Sequence, residues 1–312
     1  MSADLSFTEP GSDSSPPLDP FFVFDYRPLD GPSDDPSDDP SDDPAQPAGA
    51  RGARDSRRWS SYWDVEPLCR GPAPVPDWVV TDRAAIDTEL GILKTGKEAD
   101  VFLVERAVEA DPSGAVVMAA KRYRGEEHRS FHRSSVYTEG RRIRNTRDSR
   151  AMARKTSYGR QVAAGQWAWA EWESLRRLWV AGIPVPYPVQ IDGTEILMEL
   201  VTVDGQAAPR LVQTRPEPRV LASYFEQIRE AMAELARQGI AHGDLSPYNI
   251  LAAGERLVII DLPQVVDVVG NPHGMDFLAR DCRNVCRWLR ARGAAVDEDE
   301  LFAELVAEVF AR

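Results

Sequence analysis

The segment His242-Gly243-Asp244-Leu245-Ser246-Pro247-Tyr248-Asn249 is followed, twelve residues beyond Asn249, by Asp261 at the close of the apolar run Leu257-Val258-Ile259-Ile260. A histidine, two acids and a carboxamide thus fall within twenty residues. The short apolar runs Ile250-Leu251 and Leu257–Ile260 read as strands that bracket these polar groups, so the Asp261 carboxylate is expected to emerge at a strand end. A chain built around this segment must hold a polar loop and a strand terminus together on a rigid frame.

The rest of the pattern supplies that frame. Gly91-Ile92-Leu93, Asp100–Val104 and Ala115–Lys121 read as three successive strands of a small antiparallel sheet. Trp167, Glu171, Leu175 and Leu178 then recur at helical spacing, and Gly182, ahead of Pro184 and Pro186, stops that helix. Glu195–Val201 reads as a further strand and a crossing point. Beyond a polar, proline-containing link, Leu221, Tyr224, Phe225, Ile228, Met232 and Leu235 share one helix face that ends at Gly239. Helices are expected around Met275–Arg292 and Glu298–Phe310. The fold class is therefore α+β and bilobal, a strand-rich N-lobe joined to a helical C-lobe with a ligand crevice between them. The expected boundaries are a tail over 1–65, an N-lobe over 66–198 with a flexible basic loop at 124–165, and a C-lobe over 199–312.

With 312 residues, 43% of them apolar, the chain can bury one large core or two lobes. Its three cysteines, Cys69, Cys282 and Cys286, imply no disulfide framework, and a reducing cytoplasm is the natural setting. No apolar run approaches the roughly 20 residues that span a bilayer, and Asp4 and Glu9 stand where a signal segment would be basic and then apolar. A soluble, unsecreted protein without a membrane partner is expected. The net charge of −13 is uneven: residues 1–60 hold thirteen acids against five arginines, a balance of −8 that leaves −5 for the remainder. Within that tail Pro-Ser-Asp-Asp occurs three times between Pro32 and Pro44, with too little apolar surface to offset ordering, so disorder is expected. A solvating tail is the plain reading; a docking or autoinhibitory tail that visits the basic region 129–160 is the alternative. Lysine is scarce: Lys94, Lys97, Lys121 and Lys155 are the only four, and three of them lie near the motifs argued next.

Phosphoryl transfer needs a base or orienting carboxylate, metal ligands facing the phosphates, and a cation on the phosphate oxygens. Asp244 and Asn249 have the separation of the kinase catalytic loop His-Arg-Asp-Leu-x-x-x-Asn, in which the Asp takes or orients the nucleophile's proton and the Asn binds a metal. Asp261 in isolation could as well be a turn or cap residue; its place after Asp244 and Asn249 points to a second metal ligand. Lys121 ends an apolar strand, where a charged side chain requires an anionic partner. Glu171 on the next helix supplies one, which reproduces the strand-lysine and helix-glutamate pair that grips nucleotide phosphates. Glu173 is a rival that the Trp167, Glu171, Leu175 register disfavours. Between the first two strands lies Lys94-Thr95-Gly96-Lys97-Glu98-Ala99-Asp100-Val101, where a glycine-rich phosphate lid would sit, here with one glycine. A Walker-type reading of Gly96-Lys97 fails because Glu98 replaces the required Ser/Thr.

Together these residues resemble the RIO family of atypical serine/threonine protein kinases, in a bacterial-like form. Thr95-Gly96-Lys97-Glu98-Ala99 is similar to that family's Ser-Thr-Gly-Lys-Glu-Ala phosphate loop. Trp167 with Glu171, Leu197-Met198-Glu199 as the hinge, His242–Asn249 and Ile260-Asp261-Leu262 follow in the family's order over roughly residues 80 to 290. The resemblance implies a protein-kinase-like fold without an activation segment, and ATP with Mg2+ or Mn2+ as cofactors. It implies Asp244 as the catalytic residue, Asn249 and Asp261 as metal ligands, and an ATP site drawn from Thr95, Gly96, Lys97, Glu98, Ala99, Val101, Lys121, Glu171, Met198, Glu199 and Val201, with adenine on the backbone of Glu199 to Val201. Arg280-Asp281-x-x-Asn284 resembles a structural family motif, with Asp281 bonding backbone near the catalytic loop. Pro263 stands where the family usually has Gly, and Gly243 where it usually has Ala. The His-Gly-Asp that results also echoes antibiotic and choline phosphotransferases.

The activity this implies is transfer of the γ-phosphate of ATP to protein serine or threonine, the chain itself included. The alternatives are an ATPase switch in ribosome or ribonucleoprotein assembly that forms an aspartyl-phosphate on Asp261, and a small-molecule phosphotransferase. The basic stretch Arg129, Arg133, Arg141, Arg142, Arg144, Arg147, Arg150, Arg154, Lys155 and Arg160, with Phe131, Tyr137 and Tyr158 among them, suits RNA phosphates or a ribosomal particle. The plainer reading is a solvated flexible loop that also neutralises the ATP site or the acidic tail. His128 and His132 have helical spacing without a third ligand nearby, so no zinc is expected.

Overall fold

In the computed structural model the described residues are 57–124, 157–263 and 265–311. The Pro-Ser-Asp-Asp repeats, His128, His132 and the arginines from 129 to 154 lie outside them.

The N-lobe is an antiparallel six-stranded sheet in the order β1-β2-β3-β4-β6-β5. Its strands are β1 (Arg57–Trp59), β2 (Ala85–Thr95), β3 (Ala99–Val108), β4 (Asp111–Tyr123), β5 (Pro188–Asp192) and β6 (Glu195–Glu199). Successive hairpins build β2 to β4 from runs rich in Val, Ile, Phe and Leu, which fit a pleated, half-buried surface. Helix α1 (Ser157–Val180) is interposed before β5 and β6, so β4 pairs with β6 and not with its neighbour in sequence. Alternation along β4 sorts the two faces. Met118 and Ala120 join Tyr62, Val79, Val104, Tyr187, Val189 and Leu197 on one face, while Lys121 turns to the other, towards α1.

Two expectations are corrected here. Residues 57–65 belong to the N-lobe and not to the tail: β1 pairs Arg57 with Thr88, Arg58 with Asp87 and Trp59 with Ile86. The fully buried Arg106 reinforces this edge, donating to Asp87 at 2.6 and 2.8 Å and to Gln190 at 2.9 Å, while Gln190 donates to Ser61 at 2.8 Å. The second correction is the start of α1, at Ser157 and not after Gly165. Inside that helix Ala164, Ala168, Trp172, Leu175 and Leu178 are buried, and the Trp172 indole N–H donates to the Leu68 carbonyl at 3.0 Å.

Beyond β6 a small hairpin, β7 (Thr202–Val203) and β8 (Gln206–Ala207), turns on Asp204 and Gly205, both at positive φ of 51° and 74°. Positive φ at both central residues is the turn geometry that an Asp-Gly pair favours. The C-lobe follows with α2 (Pro218–Arg237), β9 (Ile240–Ala241), β10 (Ile250–Ala253), β11 (Arg256–Ile259), β12 (Val266–Asp267), α3 (Gly274–Arg290) and α4 (Glu298–Phe310). The α2 face expected from the sequence is the one that packs: Leu221, Tyr224, Ile228, Met232 and Leu235 are buried. The main core runs from this helix through Leu245, Ile250, Leu257 and Ile259 to Leu278, Val285 and Leu289, and reaches Trp172 and Ile196 of the N-lobe. The fold is the expected bilobal α+β kinase-like one. Among the described residues no helix is long and apolar enough to cross a membrane.

Candidate functional site

The loop His242–Asn249 leaves β9 and enters β10, and its shape is set from within and from α3. His242 is buried; its Nε2–H donates to the Ile260 carbonyl at 3.1 Å, and its Nδ1 accepts from the Asp244 N–H at 3.3 Å. One tautomer satisfies both bonds, because a carbonyl can only accept. Gly243, at φ 86°, donates its N–H to Asp281 at 2.9 Å, and Leu245 donates to the other Asp281 oxygen at 2.8 Å. Arg280 donates to the Gly243 carbonyl, and Asn284 to that of Leu245 at 3.2 Å. Burial pushes the Asp281 carboxyl up to about 6, against the pull of His242, the two amide donors and Arg280. Asp281 therefore has the backbone-bonding place expected of it. Asn249 closes the loop by donating its Nδ2–H to the Asp244 carbonyl at 3.0 Å, which leaves its own carbonyl oxygen for another partner.

Asp261 follows β11 with φ 68°, an uncommon conformation for a residue with a Cβ. Its neighbour Ile260 donates an N–H to the Asn249 carbonyl at 3.0 Å, which brings the backbone of the Asp261 segment against that of Asn249. Lys121 arrives from β4 and bonds Glu171 at 2.7 Å and Asp261 at 2.8 Å. Glu171 also accepts from the Tyr123 hydroxyl and from the Leu262 N–H at 3.4 Å. Glu173 is exposed on the opposite side of α1 and takes no part. Burial works to lower the Lys121 pKa, but Asp261 and Glu171 overcome it and hold the ammonium charged. In return the Lys121 charge keeps Asp261 below the usual carboxylate range despite burial. The Asp261 side chain, although flanked closely by the protein, is still 44% exposed.

Gly96 to Glu98 join β2 to β3 over the cleft. The Gly96 N–H donates to the Ala99 carbonyl at 3.0 Å, and a Cβ on Gly96 would lie 2.8 Å from that oxygen. A loop this short needs a glycine only at that one close approach. Arg124 clamps its far side through Asp100 at 2.6 Å, and the Arg124 N–H donates to the Glu98 carbonyl at 3.0 Å. Lys97 and Thr95 are exposed, Ala99 is buried, and Glu98 faces inward, where burial and the nearby Asp261 raise its pKa. Val101 lies opposite Lys121 in the sheet. At the hinge, the Glu199 N–H and carboxylate both engage the Tyr187 backbone, and the Val201 carbonyl accepts from Ala208 at 2.9 Å. Among the described residues no backbone partner accepts from the Val201 N–H, and Met198, half-buried, precedes this edge.

Sequence reasoning passed over Arg210. It lies between β8 and α2, bridges Leu251 and shares the electrostatic field of Asp261 and Tyr248. It sits in a polar link with no periodicity; the scarcity of lysine, by contrast, did single out Lys94.

The RIO domain family matches residues 104–301. The RIO-type serine/threonine-protein kinase Rio1 of Haloferax volcanii is 38% identical over 217 residues, which cover 70% of this chain and 68% of that protein. Rio1 of Methanocaldococcus jannaschii is 31% identical over 214 residues, 68% of this chain and 67% of the relative. The crystal structure of the Rio2 kinase from Chaetomium thermophilum aligns with a TM-score of 0.46 at 21% identity, over 72% of this chain and 68% of that one.

Proposed function

We propose, for a chain that belongs to the RIO family of serine/threonine protein kinases, that the cleft transfers the γ-phosphate of ATP to a serine or threonine hydroxyl, with Asp244 receiving or orienting the hydroxyl proton. The observation that carries this reading is the meeting of Lys121, Glu171 and Asp261 within 2.8 Å, from β4, α1 and the end of β11, beside a loop that presents Asp244 and Asn249. In the transfer the acceptor oxygen forms a bond to the γ-phosphorus, the bond to the β-γ bridging oxygen breaks, and ADP leaves. The acceptor proton passes to the Asp244 carboxylate and then to solvent.

Lys121, oriented by Glu171, is the cation for the inner phosphates. Thr95 to Ala99 form the lid over them, and Val101 lies on the nucleotide-facing side of the sheet. The Val201 N–H and the backbone near Met198 and Glu199 suit adenine. Asn249 and Asp261 fit Mg2+ or Mn2+: each offers a hard oxygen donor, and the Asp261 side chain is partly exposed. Bound there, a divalent cation would neutralise charge that develops on the phosphates. The three free thiols accord with a reducing, cytoplasmic setting.

Incubation with γ-labelled ATP, alone and with acceptor protein, tests the reading through the stability of the labelled product. Acid-stable, base-labile label on protein is expected. Acid-labile label on Asp261, or released phosphate without labelled protein, would contradict it.

A further inference from the structure

Two cations at the mouth of the cleft have no part in the roles above. Lys94 lies near the end of β2, and the sheet register places it opposite Val101, which in turn lies opposite Lys121. Directly opposed residues of antiparallel strands project to the same face. Lys94 is therefore on the face from which Lys121 reaches Glu171 and Asp261, two strands away across β3. Arg210 comes from the other lobe. Pro209 accepts from the Ala252 N–H at 2.9 Å and Val212 donates to the Pro247 carbonyl at 3.0 Å, so the strap that carries Arg210 is laced to the end of the catalytic loop.

Lys94 lies within electrostatic reach of Arg210, Asp261 and Lys121, and Arg210 within reach of Asp261 and Tyr248. Neither cation makes an ion pair among the described residues. The nearby acid, Asp261, is already bonded to Lys121 at 2.8 Å. Like charges brought together by opposite lobes repel, and an anion between them turns that repulsion into attraction to both. Desolvation, with the charges of Arg210 and Lys121, brings Lys94 down to about 8, and the residue as a whole is exposed. Desolvation likewise lowers Arg210. Burial without a carboxylate partner thus acts on both groups.

We propose that Lys94 and Arg210 form a two-sided clamp on the terminal phosphate of the bound nucleoside triphosphate, one cation from each lobe, so that the γ-phosphoryl group itself draws the lobes together. This rests on the reading of the cleft as an ATP site and divides the work within it. Lys121 serves the inner phosphates shared by ATP and ADP, and the Lys94–Arg210 pair serves the phosphate that only ATP carries. ADP, once formed, is held by one grip only and leaves.

Calorimetric titration of Lys94→Met, Arg210→Gln and the unaltered chain with a non-hydrolysable ATP analogue and with ADP, both with Mg2+, tests the clamp. Each substitution is expected to weaken the triphosphate about tenfold, the size of one charge-assisted phosphate contact, and ADP less than about twofold. Lys94→Arg should restore most of the loss, and retained ADP binding shows that the variants are folded. Equal losses for both nucleotides, or none for either, would overturn the clamp while leaving the ATP site intact. An unaltered chain that binds neither nucleotide would overturn the ATP site and the clamp together. Unchanged nucleotide binding with a raised KM for an acidic acceptor peptide would overturn the clamp in favour of acceptor recognition.

Discussion

The floor and the roof of the cleft are held by different kinds of bond. On the floor, the loop that carries Asp244 is fixed through its own backbone: Asp281 accepts two amides, Arg280 and Asn284 bond two carbonyls, and His242 ties the loop to Ile260. None of these bonds has to change when a ligand arrives. In the roof, Lys121 is held by side-chain ion pairs to Glu171 and to Asp261, on separate elements. On the proposed reading the second of these would yield to a phosphate on Lys121, which would free the Asp261 carboxylate for a divalent cation. The proposed base would thus be pre-positioned, and the proposed nucleotide grip assembled on binding.

Substitutions on the two sides should separate this difference. Lys121→Met has the largest expected effect on stability. It strands Glu171, whose side chain is 2% exposed, without its cation, and should cost about 3 kcal/mol in urea unfolding while raising the nucleotide Kd. Asp281→Ala leaves two buried amides without an acceptor and should cost about 2 kcal/mol. Its signature is a fall in kcat with nucleotide Kd unchanged; a rise in Kd of the Lys121→Met size would erase the distinction.

The pH dependence of Asp281 sharpens the contrast. Its folded-state value of about 6 lies above the unfolded value of 3.8, so the folded chain binds this proton more tightly. The resulting stabilisation is complete below about 3.8 and lost as pH rises through about 6. Asp281→Asn cannot titrate, so the stability of the unaltered chain relative to that variant should decline between about pH 4 and 7. A flat difference would mean that the carboxyl is not raised. Gly243→Ala has the smallest expected effect. A Cβ at φ 86° should cost about 1 kcal/mol and slow transfer without changing nucleotide affinity.

The floor was the more legible side in the sequence, for a physical reason. His242, Asp244, Asn249 and Asp261 occur within twenty residues, so their separations record local geometry directly. The Lys121–Glu171 pair spans 50 residues but announced itself as a charge at the end of an apolar strand and an acid at helical spacing. What stayed hidden was held by distant partners. β1 carries no alternating pattern and exists because Asp87 and Thr88 pair with it and Arg106 anchors its neighbour. β5 lies among prolines that obscured its pairing with β6. Arg210 had no local signal, since the lobes alone bring it near Lys94. Pro263, a departure from the family pattern, is buried beside the fully buried Leu262, so packing accommodates the stiffer exit from Asp261.

Single-turnover transfer from γ-labelled ATP by Asp244→Asn, with nucleotide binding measured on the same preparation, tests the central claim most directly. A base held by a ligand-independent floor predicts transfer reduced by at least about 100-fold and nucleotide Kd within about twofold of the unaltered chain. Transfer near the unaltered rate, or a joint loss of transfer and binding, would contradict it.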